Sequence, residues 1–340
     1  MNISISKVTV FACLLLISAC SVQTVTNDRA ADTAVDRRLA EIDRVIPSSA
    51  RLEILGEGFT WPEGPVWLSE QNALHFNDVP ENKMYRWTAE TGVNLFLTPS
   101  GGGTDEMAAR MREPGANGII NWPAEPSKVL LADHGARGLS ILDIDTLQRE
   151  TIVSEYQGQS LNSPNDMIMR SDGAVFFTDP PYGLRDLNAS PDKELEHNGV
   201  YLYKPDQPLK LIIDDLSFPN GIGLSPDEST LYVAVSDPEN AIIMAYDTAI
   251  DGSVSSGRIF FDAGPELKDG GGLPDGMAIA RNGTIFATGP EGVYVLSPNG
   301  DVLGVISTGM PISNCTLDDD EAYLYMTSSS VLARIAVSME

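Results

Sequence analysis

The chain has 340 residues, 42% hydrophobic and 7% aromatic, enough apolar material for the core of one large domain or two ordinary ones. Its 22 basic residues face 48 acidic ones, a formal charge of −26, which excludes electrostatically driven binding to nucleic acid or to an anionic membrane surface.

In chain order, the first element is a targeting segment. Lys7 precedes the apolar run Val8 to Ile17, too short to span a bilayer but suited to a signal-peptide core. The run ends in Ile17-Ser18-Ala19-Cys20, which resembles a bacterial lipobox. That resemblance implies a signal over residues 1–19, a lipidated Cys20 and, with Ser21 next, a periplasmic lipoprotein of the outer membrane held there only by its lipid. The competing reading is an ordinary secretory signal with a chance cysteine. Residues 20–50 are polar, with a weak helical pattern over Ala30 to Ile46, and read as a flexible tether. Of the other cysteines, Cys13 falls in the signal and Cys315 is alone, a small apolar core side chain.

From Arg51 onward the texture changes to short apolar runs separated by Gly, Pro, Asn and Asp clusters, the pattern of many antiparallel strands. Six segments put one polar residue in the same local frame. They are Pro62-Glu63-Gly64, Ala116-Asn117-Gly118, Pro164-Asn165-Asp166, Pro219-Asn220-Gly221, Pro274-Asp275-Gly276 and Ser313-Asn314-Cys315. The central residues are 54, 48, 55, 55 and 39 positions apart, a spacing that points to propeller blades. The fourth repeat shows the unit: Gly221 to Leu224, Thr230 to Val235, Ala241 to Tyr246 and Arg258 to Phe261, four strands joined by turns. The expected fold is therefore all-β, a six-bladed β-propeller over residues 51–340 with four antiparallel strands per blade. The sixth repeat has only three strands before the chain ends, so Arg51 to Gly56 should supply the fourth and close the ring. If each framed residue opens an innermost strand, all six face one axis, and the oxygen-rich ring they form suits a hard cation.

Other chemistries lack their residues. There is no G-x-S-x-G elbow, no H-E-x-x-H, no P-loop and no G-x-G-x-x-G, and His75, His134 and His197 are far apart. Gly101-Gly102-Gly103 reads as a mobile loop.

Several segments in order carry a resemblance: Trp61 to Trp67, Ala132-Asp133-His134-Gly135, Leu161 to Asp166, Phe177 to Gly183, Pro219-Asn220-Gly221, Asp275-Gly276 and Asn314-Cys315. They are similar to the gluconolactonase and regucalcin family, nearest to its bacterial gluconolactonases. The resemblance implies a six-bladed propeller with a divalent metal in the central tunnel, usually calcium, with zinc, magnesium or manganese as alternatives. It carries the metal ligands over to Glu63, Asn165, Asn220 and Asp275. Two carboxylates and two amide carbonyls agree physically with a divalent cation, waters completing the shell. It implies that a sugar lactone is opened, with Asp275 activating water or attacking directly. Asn117 and Asn314 keep the frame without serving as ligands and are expected at the pocket wall, as substrate contacts. Tyr182, in a loop near the tunnel mouth, is a further substrate-contact candidate. His134 is open to two readings, substrate contact or a structural hydrogen bond. Asp133 and Asp179 end second strands and equally suit turn caps. A phosphotriesterase or arylesterase on the same site, and a non-catalytic ligand-binding propeller, remain as alternatives. A monomer or weak dimer is expected.

Overall fold

The structure is a computed structural model that describes residues 34–339 apart from 124 and 269–270. Cys20 and the signal segment lie outside the described residues.

Six antiparallel blade sheets follow one another along the chain, with a separate two-stranded hairpin at Glu155–Tyr156 and Gln159–Ser160. Blade one runs from Pro62–Leu68 outward to Gly92–Leu97, and blade two from Ala116–Asn121 to Arg149–Val153. Blades three, four and five begin at Met167–Met169, Pro219–Leu224 and Met277–Ile279. Blade six starts at Ile312–Leu317, and its outermost strand is Leu52–Glu57, paired with Val331–Ala336. The ring therefore closes across the two ends of the propeller, as the missing fourth strand of the last repeat requires. Leu52 opposite Ile335 and Ile54 opposite Ala333 fix the register. Alternate side chains of each blade fill the space to its neighbours, so the core is a series of apolar layers between sheets rather than one central cluster.

The first residues of each blade show why the repeated frame ends in glycine. A Cβ on Gly221 would lie 2.0 Å from the Asp275 carbonyl oxygen, and one on Gly276 would lie 1.9 Å from the Asn314 side chain. The missing side chains let neighbouring inner strands touch, and Gly221 donates its N–H to Asp275 O at 3.1 Å. Gly64 adds a second requirement, a φ of +55°, which an L side chain adopts only with strain.

One expectation needs correction. The tether does not extend to residue 50, because residues 34–50 pack on the propeller. Val35–Arg37 forms a fifth strand on blade five, pairing Val35 with Ile306 and Arg37 with Gly304. A single helical turn, Ile42–Val45, then buries Ile42, Val45 and Ile46 against blades five and six beside Val295, Ile306, Leu324 and Ile335. Arg37 ties the segment to itself through Asp43 and the Ile46 carbonyl. A few spaced apolar residues do this work, too few to stand out from a polar stretch.

Candidate functional site

At one end of the central axis the inner strands enclose a cavity of about 500 Å³. Glu63, Asn117, Asn165, Asn220 and Asp275 all line it, together with Trp61, Arg112, Glu113, Tyr182 and Ser236. A larger groove of about 650 Å³ lies on the outer face between the Glu155–Tyr156 hairpin and Lys210–Ile213, but Glu155 and Lys210 are the main ionisable groups along it. The axial cavity is the chemically richer of the two.

Each axial residue is held from behind, through its side chain or its backbone. Glu63 is buried, and its Oε2 accepts from Gly64 N at 2.8 Å and from Asn314 Nδ2 at 3.1 Å. Asn165 is held by its own N–H on the Thr178 carbonyl at 2.9 Å. Asn220 donates Nδ2 to Ser236 Oγ at 3.0 Å, which leaves its amide oxygen to accept. Asp275 receives support at its backbone, where its N–H donates to Thr288 Oγ1 at 3.0 Å. Asn117 Oδ1 is buried without a hydrogen-bond partner among the described residues, while its carbonyl accepts from Asn77 Nδ2 at 2.7 Å.

The hydroxyls and amides behind the ring form a second polar layer. Asn77, Thr178, Ser236, Thr288 and Thr327 lie near the ends of the second strands, Asn77 directly opposite Glu63 and Thr327 opposite Asn314. Thr178 Oγ1 reaches across to the Asn220 carbonyl at 2.7 Å, and Ser236 Oγ donates to the Pro274 carbonyl. Its signal was present in the sequence. Phe177-Thr178-Asp179-Pro180, Val235-Ser236-Asp237-Pro238 and Ala287-Thr288-Gly289-Pro290 repeat one pattern, 13 to 16 positions after each axial residue.

Burial and mutual repulsion dominate the electrostatics. Burial pushes the Glu63 carboxyl up to about 8, against the Gly64 hydrogen bond, with the Asp166 charge adding to the rise. Asp166, just below the ring, and Glu113, on the cavity wall, are each pushed up to about 7, again mainly by burial. Asp275 is raised well above the usual carboxylate range by burial, then by Glu63, Asp166 and Glu113. Three carboxyls thus line this cavity with Asp166 beneath them, and Arg112, beside Glu113, is the basic residue lining it.

The other predicted positions fall in different places. Tyr182 lines the cavity and stacks on Phe218, centroids 5.9 Å apart. Asn314 is not on this wall: it lies beneath it, joining Glu63 to Asp166 and facing the opposite mouth of the axis. His134 does not reach the cavity. It is fully buried behind Glu113, with Nδ1 3.3 Å from the Glu113 carbonyl oxygen, and burial lowers its pKa to about 4, so it is neutral at pH 7. Of its two readings, the structural one fits. Asp179 accepts from the N–H groups of Asn162 and Ser163, and Asp133 from those of Gly102 and Ala136, so both are turn caps. Asp133 thereby ties down the triple-glycine loop, which also bonds to Asn82, so that loop is anchored rather than loose. Arg112 and Glu113 were not anticipated because they precede the inner strand of blade two in an irregular segment with no counterpart in the other repeats.

Among the described residues no three His, Cys, Asp or Glu side chains come together as a metal cluster. The donor set that does fit a cation is mixed: carboxylates from Glu63 and Asp275, and amide oxygens from Asn165 and Asn220. All four line one cavity, and the Asn220 amide nitrogen is already engaged. An all-oxygen donor set with two carboxyls that a bound cation would deprotonate suits a hard divalent ion.

Comparison with known proteins gives this geometry a context. Residues 61–330 match the family described as the SMP-30/Gluconolactonase/LRE-like region. A gluconolactonase of Zymomonas mobilis is 41% identical over 298 residues, spanning 86% of this chain and 83% of its own. The solved structure of a Xanthomonas campestris gluconolactonase superposes with a TM-score of 0.78 at 30% identity, covering 94% of this chain and all of that one. A calcium-binding regucalcin from Agrobacterium tumefaciens shares the fold at a TM-score of 0.64 and 17% identity, covering 84% and 94% of the two chains.

Proposed function

The chain belongs to the SMP-30/gluconolactonase/LRE-like family, and from that premise we propose that it is a hydrolase that opens sugar lactones in the axial cavity. The observation that carries the reading is the convergence of Glu63, Asn165, Asn220 and Asp275 on one cavity of a size suited to a monosaccharide lactone. In this reading those four residues hold a divalent cation, with calcium as the first candidate. Bound there, such an ion supplies Lewis-acid polarisation of the lactone carbonyl.

The chain's own residues supply the rest. Asp275 takes a proton from the water that attacks the carbonyl carbon, and its backbone is held by Thr288 and Gly221 while it does so. Direct attack by Asp275, forming an anhydride that water then cleaves, is the other route, and label entering the Asp275 carboxyl during hydrolysis in ¹⁸O-water would show it. The ring C–O bond then breaks, and the ring oxygen takes the proton that Asp275 removed from the water, leaving as the new hydroxyl of the open acid. Asn117 Oδ1, buried without a partner, is an acceptor suited to a substrate hydroxyl. Tyr182 offers a flat, rigid wall braced on Phe218. The lipid anchor at Cys20 would place this activity at the bacterial envelope.

Side-by-side assays of aldonolactones, aryl esters and a fluorophosphate test the substrate class. Lactone opening should dominate. Turnover confined to the aryl ester or fluorophosphate would replace this reading with the esterase one, and no turnover of any with retained cation binding would favour a binding propeller.

A further inference from the structure

Arg112 and Glu113 stand outside the repeating frame, yet the fold holds them firmly. Their two N–H groups both donate to the Gly183 carbonyl, at 3.0 and 3.4 Å, and Met111 bridges Leu184. Behind them the buried His134 ring sits 3.3 Å from the Glu113 carbonyl oxygen and 4.0 Å from its Oε2. The seam has no slack, since a Cβ on Gly183 would lie 3.0 Å from that ring and 2.8 Å from Ser163 Cβ. The Glu113 carboxyl is therefore fixed at the cavity wall, with Oε1 3.2 Å from Arg112 Nη2. The Arg112 side chain is half exposed at the mouth.

A carboxylate acceptor thus sits beside a guanidinium donor, both lining the space where a substrate would lie. Vicinal hydroxyls match such a pair: one donates to the carboxylate while its neighbour accepts from the guanidinium. An unsubstituted lactone offers neither group. We propose that Glu113, oriented by Arg112, is the specificity-determining residue that selects polyhydroxylated lactones over unsubstituted ones. The inference rests on the lactone-hydrolase reading above and adds to it which residue reads the hydroxyls.

The test compares wild type, Glu113→Gln and Glu113→Ala on D-glucono-δ-lactone and δ-valerolactone, the latter as substrate or as competitive inhibitor, with thermal unfolding of each protein alongside. For Glu113→Ala, kcat/KM on gluconolactone should fall roughly 10- to 100-fold further than that on δ-valerolactone, mainly through KM, any change common to both lactones reporting the loss of its charge near Asp275. Glu113→Gln, which keeps the shape and one acceptor oxygen, should lose less and carries the test if the alanine variant fails to fold. Equal losses on both lactones, or no loss on either, would overturn the selection role while leaving the lactonase reading intact. A wild-type protein that neither opens nor binds either lactone would instead remove the lactonase reading, and this inference with it.

Discussion

A carboxyl buried among other carboxyls is held above its ordinary pKa and is stabilised when something positive joins it. Glu63, Asp166 and Glu113, raised to about 8, 7 and 7, bind more protons in the folded than in the unfolded chain between roughly pH 4.5 and 8. Where the folded state binds the extra protons, stability falls as pH rises. In chelator, the protein should therefore be less stable at pH 8.0 than at pH 5.5, by on the order of a few kcal/mol, and its thermal midpoint correspondingly lower. Added calcium should raise the midpoint more at pH 8.0 than at pH 5.5, because there it binds ionised carboxylates. Calorimetry at the two pH values, with and without the ion, reads this, and an equal response at both would count against the cation-binding reading. These residues were only partly legible. Glu63, Asn117, Asn165, Asn220 and Asp275 share a frame that the chain repeats, so spacing alone brought them to one axis. Asn314 shares the frame as well, but the long turn of its amide toward Glu63 is a matter of side-chain geometry that spacing does not carry. Glu113 belongs to no repeat and could be found only by folding the chain.

The blade is the element that the sequence declares most clearly, because alternating short strands and turn residues recur at nearly constant spacing. The closing strand Leu52–Glu57 was legible for a topological reason: the last repeat was one strand short. The segment before it was not. Residues 34–50 spend only a few apolar side chains on the contact, and their helix is a single turn, below the length at which periodicity is readable. Their packing nonetheless covers an interblade seam. Ile42→Ala and Ile46→Ala should each cost about 2–5 kcal/mol, since both side chains are fully buried among large neighbours. Urea unfolding would read the loss, and wild-type stability in the double variant would mean that the segment is an appendage rather than part of the propeller.

At the scale of the whole molecule, the ring gathers the residues of the proposed site at its axis. Six inner strands approach closely because glycines follow four of the axial residues, and second-strand hydroxyls cross from one blade to the next. No single blade contains the site: Glu63 comes from blade one, Asn165 from three, Asn220 from four and Asp275 from five. Closure of the ring by the strand at Leu52–Glu57 is thus a condition for the site as much as for stability. On the function proposed above, this axial cluster opens sugar lactones with the help of a bound cation. The most direct measurement is the pH-stat rate of D-glucono-δ-lactone opening, corrected for spontaneous hydrolysis, for wild type and Asp275→Asn before chelation, after it, and after calcium is restored. Wild type should turn over, lose that turnover on chelation and regain it with the ion. A folded Asp275→Asn protein should lose about a thousandfold, the order expected for a catalytic group, and calcium should not rescue it. Unchanged turnover in Asp275→Asn, or full wild-type turnover in chelator, would overturn the proposed mechanism.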